Sequence, residues 1–143
     1  IGTDDFGIPG AKLEYKLSEN SRRLVEFHQV RAQESQLAAG LTAEGPAIEG
    51  QLGQGERRDH LLVLRAGHCY RVIGAGEPSL EDLDLALFDP MGAPVTEDPG
   101  QDRYPVIGLQ AGIWLAQAGR FRLQTHAYVG HGKFALRVYR TEQ

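Results

Sequence analysis

The chain of 143 residues has a single cysteine, Cys69, so no internal disulfide can form. It has no apolar run near the roughly 20 residues needed to cross a bilayer; its longest strongly apolar stretch, Leu61 to Leu64, is strand-sized. A charged-then-apolar leader is missing, and a start at Ile1 instead of Met is expected of a processed or excised chain. Positive charge is short as well. Fifteen Lys and Arg stand against nineteen Asp and Glu, for a net charge of −4. The adjacent basic pairs, Arg22-Arg23 and Arg57-Arg58, each sit among acids, whereas a phosphate backbone demands clustered positive charge. A nucleic-acid partner is therefore not expected.

Catalytic signatures are scarce too. There is no Gly-x-Ser-x-Gly elbow, Ser18, Ser21 and Ser35 fall in a helical segment, and Ser79 has no base nearby in sequence. Gly74-Ala75-Gly76 has Ser79 where a dinucleotide fingerprint needs its third glycine, and no helix follows, so it reads as a turn. His60, His68, Cys69, His126 and His131 have no zinc-ligand spacing. His68 and Cys69 point to opposite faces if they lie on one strand. Cys69 reads as a small buried hydrophobe, and His131, between two glycines, as an exposed turn residue.

What is present is ordinary globular material, 41% hydrophobic and 24% charged, of a length that suits one core. Residues 1–10 are rich in turn formers and read as an extended lead-in. From Ala11 to Ala39 there is neither proline nor glycine. Leu13, Leu17, Leu24, Phe27, Leu37 and Ala38 recur at helical spacing, and Gly40 is a natural stop. The expectation is a lead-in with a helix over 18–39 in residues 1–45, followed by a second unit over 46–143.

In that second unit, short β-compatible runs alternate with turn clusters. Strands are expected over Ala47–Leu52, His60–Arg65, Cys69–Ile73, Leu83–Phe88, Tyr104–Leu109, Phe121–Tyr128 and Lys133–Tyr139. Leu83, Leu85 and Leu87 share a face opposite Asp82, Asp84, Ala86 and Phe88. Phe134, Leu136 and Val138 oppose Lys133, Ala135, Arg137 and Tyr139. Such alternation predicts antiparallel sheets with one wet face each, stacked as a sandwich. Asp89-Pro90-Met91-Gly92 is a turn signal joining Leu83–Phe88 to Ala93–Thr96, with proline fixing φ at its second position. The fold class is thus mainly β, an antiparallel β-sandwich preceded by one N-terminal α-helix.

Three segments in order carry a resemblance. They are LRAGHCYRV (Leu64–Val72), DLDLALFDPMGAPV (Asp82–Val95) and AGRFRLQTHAYVGHGKFALRVYR (Ala118–Arg140). Together they resemble the bacterial pre-peptidase C-terminal domain, over about residues 47–140. Phe121 and Phe134 stand where that family more often has tyrosine. The resemblance implies a jelly-roll-like sandwich and a non-catalytic accessory or binding module, secreted, periplasmic or on the cell surface. Its partner would be a protein or a polysaccharide.

Two kinds of candidate site follow. Calcium needs six to eight oxygens, with several carboxylates converging, and Glu77, Glu81, Asp82, Asp84, Glu97, Asp98 and Asp102 supply enough if the loops at 76–82 and 96–103 meet, Glu81, Asp82, Asp84 and Asp98 being the chosen ligands; no EF-hand spacing is present. The alternative is that these acids are solvated rim charge protecting strand edges. Surface aromatics are the second kind: Phe88, expected on the outer face, with Tyr128 and Tyr139, while the lone Trp114 is expected in the core. Two other functions stay open: a subunit docking on a partner through the helix, and a metal-assisted hydrolase using the histidines.

Overall fold

In the computed structural model, the described residues are 40–98, 100–108 and 112–140, together with Ala32, Leu37 and Ala38. The expected helix over 18–39 lies outside them apart from those last three. Ten strands follow: β1 Thr42–Ala43, β2 Ile48–Leu52, β3 Arg57–Leu64, β4 Cys69–Gly76, β5 Asp82–Phe88, β6 Pro94–Glu97, β7 Val106–Ile107, β8 Ile113–Trp114, β9 Gly119–Val129 and β10 Gly132–Arg140. They form two antiparallel sheets. The first is centred on β10 and β4, with β1 and β2 along the free side of β10 and β7 and β8 along the free side of β4. The second runs β3-β9-β5-β6.

The period-2 pattern decides which side chains fill the space between the sheets. Leu83, Leu85 and Leu87 from β5 meet Phe121 and Leu123 from β9 and Tyr70, Val72, Phe134 and Leu136 from the opposite sheet in one buried cluster. Each fully buried leucine contributes about 1.5–3 kcal/mol relative to exposure. The β5–β6 turn is built as expected. Gly92 N–H donates to the Asp89 carbonyl at 2.9 Å, Gly92 takes φ +89°, and the Asp89 carboxylate accepts from the backbone of Met91 and Ala93 at 2.9 Å.

Several expectations need correcting. The strands begin and end differently: β3 starts at Arg57, three residues before His60, and the expected strand over 104–109 shrinks to Val106–Ile107, with the short β8 unforeseen. Gly74-Ala75-Gly76 is not a turn but the end of β4. A Cβ on Gly74 would lie 2.6 Å from Leu136 Cδ2, so glycine here makes room for core side chains. The outer face of the β10–β4 sheet is not wet. Ile73 and Tyr139 lie beneath Leu37, Ala38 and Leu41, and Tyr104 covers Ala75 and Ala135. The Arg71 guanidinium ties this cover down by donating to the Leu37 and Gly108 carbonyls.

Candidate binding surface and acidic cluster

The β3-β9-β5-β6 sheet presents its outer face to solvent. Register puts Leu61 beside Arg122 and Arg122 beside Phe88 in one row across it, with His126 beside Asp84 in another. The Arg122 guanidinium carbon sits 4.1 Å from the centre of the Phe88 ring, a cation–π stack. Arg122 Nη1 also pairs with Asp59 Oδ1 at 3.3 Å, and Gln124 Nε2 donates to the same oxygen at 3.2 Å. Tyr128 is 60% exposed, its ring edge-on to His126. Of the aromatics expected at the surface, this face gathers Phe88 and Tyr128. Tyr139 is 1% exposed, beneath Leu37, Ala38 and Leu41, because the outer face of its own sheet is covered there. Trp114 reverses its expectation. It is 62% exposed, since β8 is a two-residue edge strand whose inward position belongs to Ile113.

At one end of the same sheet the acidic loops do meet. Leu83 N–H donates to the Asp102 carbonyl at 3.0 Å, and Asp98 N–H to the Leu85 carbonyl at 2.9 Å, which pins the 98–102 segment onto β5. A register shift between Asp82 and Leu83 breaks the alternation there. Asp82 is therefore buried, 7% exposed, instead of standing on a wet face. Burial first, then the hydrogen-bonded Asp82 carboxyl and the charges of Asp82, Asp98 and Glu97, push Asp84 up to about 7. Asp98 is also raised by burial, against the backbone N–H groups of Gly100 and Val106 that donate to its Oδ1. Asp82 Oδ1 and Asp98 Oδ2 are buried without a hydrogen-bond partner. Glu81, by contrast, is exposed and is not among the groups acting on Asp84.

His126 Nδ1 lies 4.0 Å from Asp84 Oδ2, but burial and Arg57 lower its pKa, so at neutral pH the contact is not an ion pair. Among the described residues, no three His, Cys, Asp or Glu side chains are arranged as a metal-holding group. The expected zinc candidates are scattered. His60 faces the core, its ring edge-on to Phe134 and its Nε2 3.3 Å from Thr125 Oγ1. His131 is exposed in the β9–β10 turn. Sequence reasoning missed Arg122; its signal was the outward position directly opposite Phe88, visible only once the register is known.

The sequence matches no protein-family model and no curated protein. Several solved structures share the fold, two of them as follows. One is a periplasmic inhibitor of g-type lysozyme from Aeromonas hydrophila, 16% identical over 72% of this chain and 90% of that one, with a TM-score of 0.50. The other is the pre-peptidase C-terminal domain of a collagenase from Bacillus anthracis, 15% identical over 65% of this chain and 87% of that one, with a TM-score of 0.51. The fold of this chain is thus a β-sandwich of the pre-peptidase C-terminal kind.

Proposed function

We propose that the chain is a non-catalytic binding module of an exported protein, which engages a protein partner through the outer face of its β3-β9-β5-β6 sheet. The observation that carries this reading is the asymmetry of the sandwich. One outer face is covered in part by Leu37, Ala38, Leu41 and Tyr104, and the other is open and holds the Phe88–Arg122 stack and the exposed Tyr128. Arginine and tyrosine are the residue types that dominate binding energy at protein interfaces. A polysaccharide partner fits less well, because the Phe88 ring on which a sugar would stack already carries the Arg122 guanidinium. The shared fold with a lysozyme inhibitor and with an accessory domain of a peptidase supports a binding role and a place outside the cytoplasm.

Calorimetric titration into a g-type lysozyme, with a cell-wall lysis assay alongside, tests the inhibitor form of this reading. Binding is expected to weaken about tenfold or more in Arg122→Ala and in Tyr128→Ala, in line with loss of at least about 1.4 kcal/mol each. Absence of binding and inhibition would leave the accessory-domain form, and hydrolytic turnover by the purified chain would overturn both.

A second reading, a calcium-stabilised module, is favoured by the two partnerless buried oxygens, Asp82 Oδ1 and Asp98 Oδ2. Asp82, Asp84 and Asp98 do not form a metal-holding group as they stand, so on this reading they would have to close on the ion, with backbone carbonyls and water completing the six to eight oxygens calcium takes. The proton held by Asp84 competes with the ion. Its raised pKa means that the folded state binds a proton the unfolded chain releases, so without calcium stability is fullest below about pH 4 and falls as pH rises to about 7. Asp84 is partly open to solvent, so the discounted loss is about 1–2 kcal/mol. Calcium at about 100 times its dissociation constant adds about 2.7 kcal/mol. The expected thermal melt therefore rises by about 6–12 °C in millimolar calcium over EDTA at pH 8. The rise should vanish at pH 5 and in Asp82→Asn. Identical melts with EDTA and calcium at pH 8 would remove this reading.

A further inference from the structure

We propose that two copies of this chain pair antiparallel along the free edge of β3, joining their β3-β9-β5-β6 sheets into one continuous sheet. Natural sheets protect their edges by shortness, proline or bulges. Most other sheet edges among the described residues follow that rule. The strands β1, β7 and β8 have two residues each, β6 has four, begins at Pro94 and adjoins a register shift, and β2, open on the side away from β10, has five. The longest open edge is β3. Its eight residues pair with β9 in unbroken register, contain no proline, and have no strand on their other side among the described residues. Its outward Leu61 and Val63 are 64% and 66% exposed. A long edge with exposed apolar side chains is a template for strand addition.

The side chains of β3 select a second copy as the added strand, and one register. A continuous sheet needs outward residues opposite outward residues, so paired residue numbers add to an even sum. With Asp59 on the two-fold axis, Asp59 faces itself; with Leu61 on the axis, Arg57 faces Arg65 of the second copy. Centring on Leu62 removes both conflicts. Leu61 then faces Val63 of the second copy and Asp59 faces Arg65, and symmetry repeats each pair. Such apolar and opposite-charge pairs are the ones that stabilise neighbouring strands. Both donors that reach Asp59 meet Oδ1, which leaves Oδ2 for a guanidinium. Arg65 is exposed just past β3, where its backbone N–H is held by Tyr70 Oη at 3.0 Å. One strand pair buries less than a standard interface, so the dimer is weak and concentration-dependent.

Sedimentation equilibrium over a concentration series reads this directly. The chain is expected to move from monomer to dimer below about 1 mM, the weak end of the affinity scale. Asp59→Arg and Arg65→Asp should each weaken dimerisation about tenfold, and the double variant should return to within about threefold of the starting value. Both sites are exposed, and circular dichroism checks that each variant is folded. In a Cys69→Ser background, a mixture of Leu61→Cys and Val63→Cys chains should form a disulfide dimer faster than either variant alone. A chain that stays monomeric at about 1 mM, no recovery in the charge-reversed double variant, or faster cross-linking of Leu61→Cys with itself would each overturn the proposal.

Discussion

Replacing Gly130 with alanine should cost the sandwich about 3–5 kcal/mol, combining the strain of a left-handed backbone with overpacking. Gly130 takes φ +91°, and a Cβ there would lie 2.1 Å from the Ser79 carbonyl oxygen and 2.9 Å from the Glu81 nitrogen. Both obstacles are backbone and cannot swing aside as a side-chain tip would. The neighbouring contacts fix the geometry further: His131 N–H donates to the same Ser79 oxygen at 3.0 Å, and Gly130 N–H donates to Gln54 Oε1 at 2.6 Å. The β9–β10 hairpin is thereby bolted to the loop that leads into Asp82. Melting should drop by about 10–20 °C for a domain of this size. Gly55→Ala is the control. It shares a positive φ, +78°, but nothing lies within 4 Å, so only the backbone cost of about 1 kcal/mol applies. Equal losses in the two variants would mean that the hairpin does not approach the 79–81 backbone as described.

Phe134→Ala is expected to cost about 3–5 kcal/mol for lost burial and the cavity left behind. Phe134 is fully buried on β10 and meets the His60 ring at 5.8 Å between centroids, so it links the two sheets directly. Its seat is made by Gly50 on the adjacent β2, where a Cβ would come 2.6 Å from the ring. Urea unfolding should show a lower midpoint with an unchanged slope, because the surface exposed on unfolding hardly alters. Phe134→Leu keeps most of the volume and should lose about 1–1.5 kcal/mol. A midpoint unchanged in Phe134→Ala would contradict the packing.

How much of this was legible in the sequence depends on whether a residue obeyed its strand's period. Leu83, Leu85, Leu87, Phe134, Leu136 and Val138 obey it, and all are in the core. Phe88 obeys it and lies on the outer face beside Arg122. Asp82 stands at the irregularity where the β5–β9 register shifts, so alternation sent it to a wet face and the fold buries it. Periodicity also says nothing about what covers a sheet from outside. Tyr139 lies on the face away from Phe134, as alternation requires, yet that face is roofed by Leu37, Ala38 and Leu41. Trp114 departs from its expectation because tryptophan's apolar bulk favours burial on average, whereas the two-residue β8 turns only one of its side chains inward. The Asp59–Arg122 pair depends on strand register, which no local pattern encodes.

The roof of Leu37, Ala38 and Leu41 has a consequence for transplanting the module between genes. A recombination point at residue 46, where the composition changes, would deliver every strand from β2 onward but leave Ile73 and Tyr139 without the residues that shield them. A fusion joined upstream of Leu37 carries its own shield. The inheritable unit is therefore longer than the sandwich, and a host protein that received only the strands would have to furnish an apolar segment of its own.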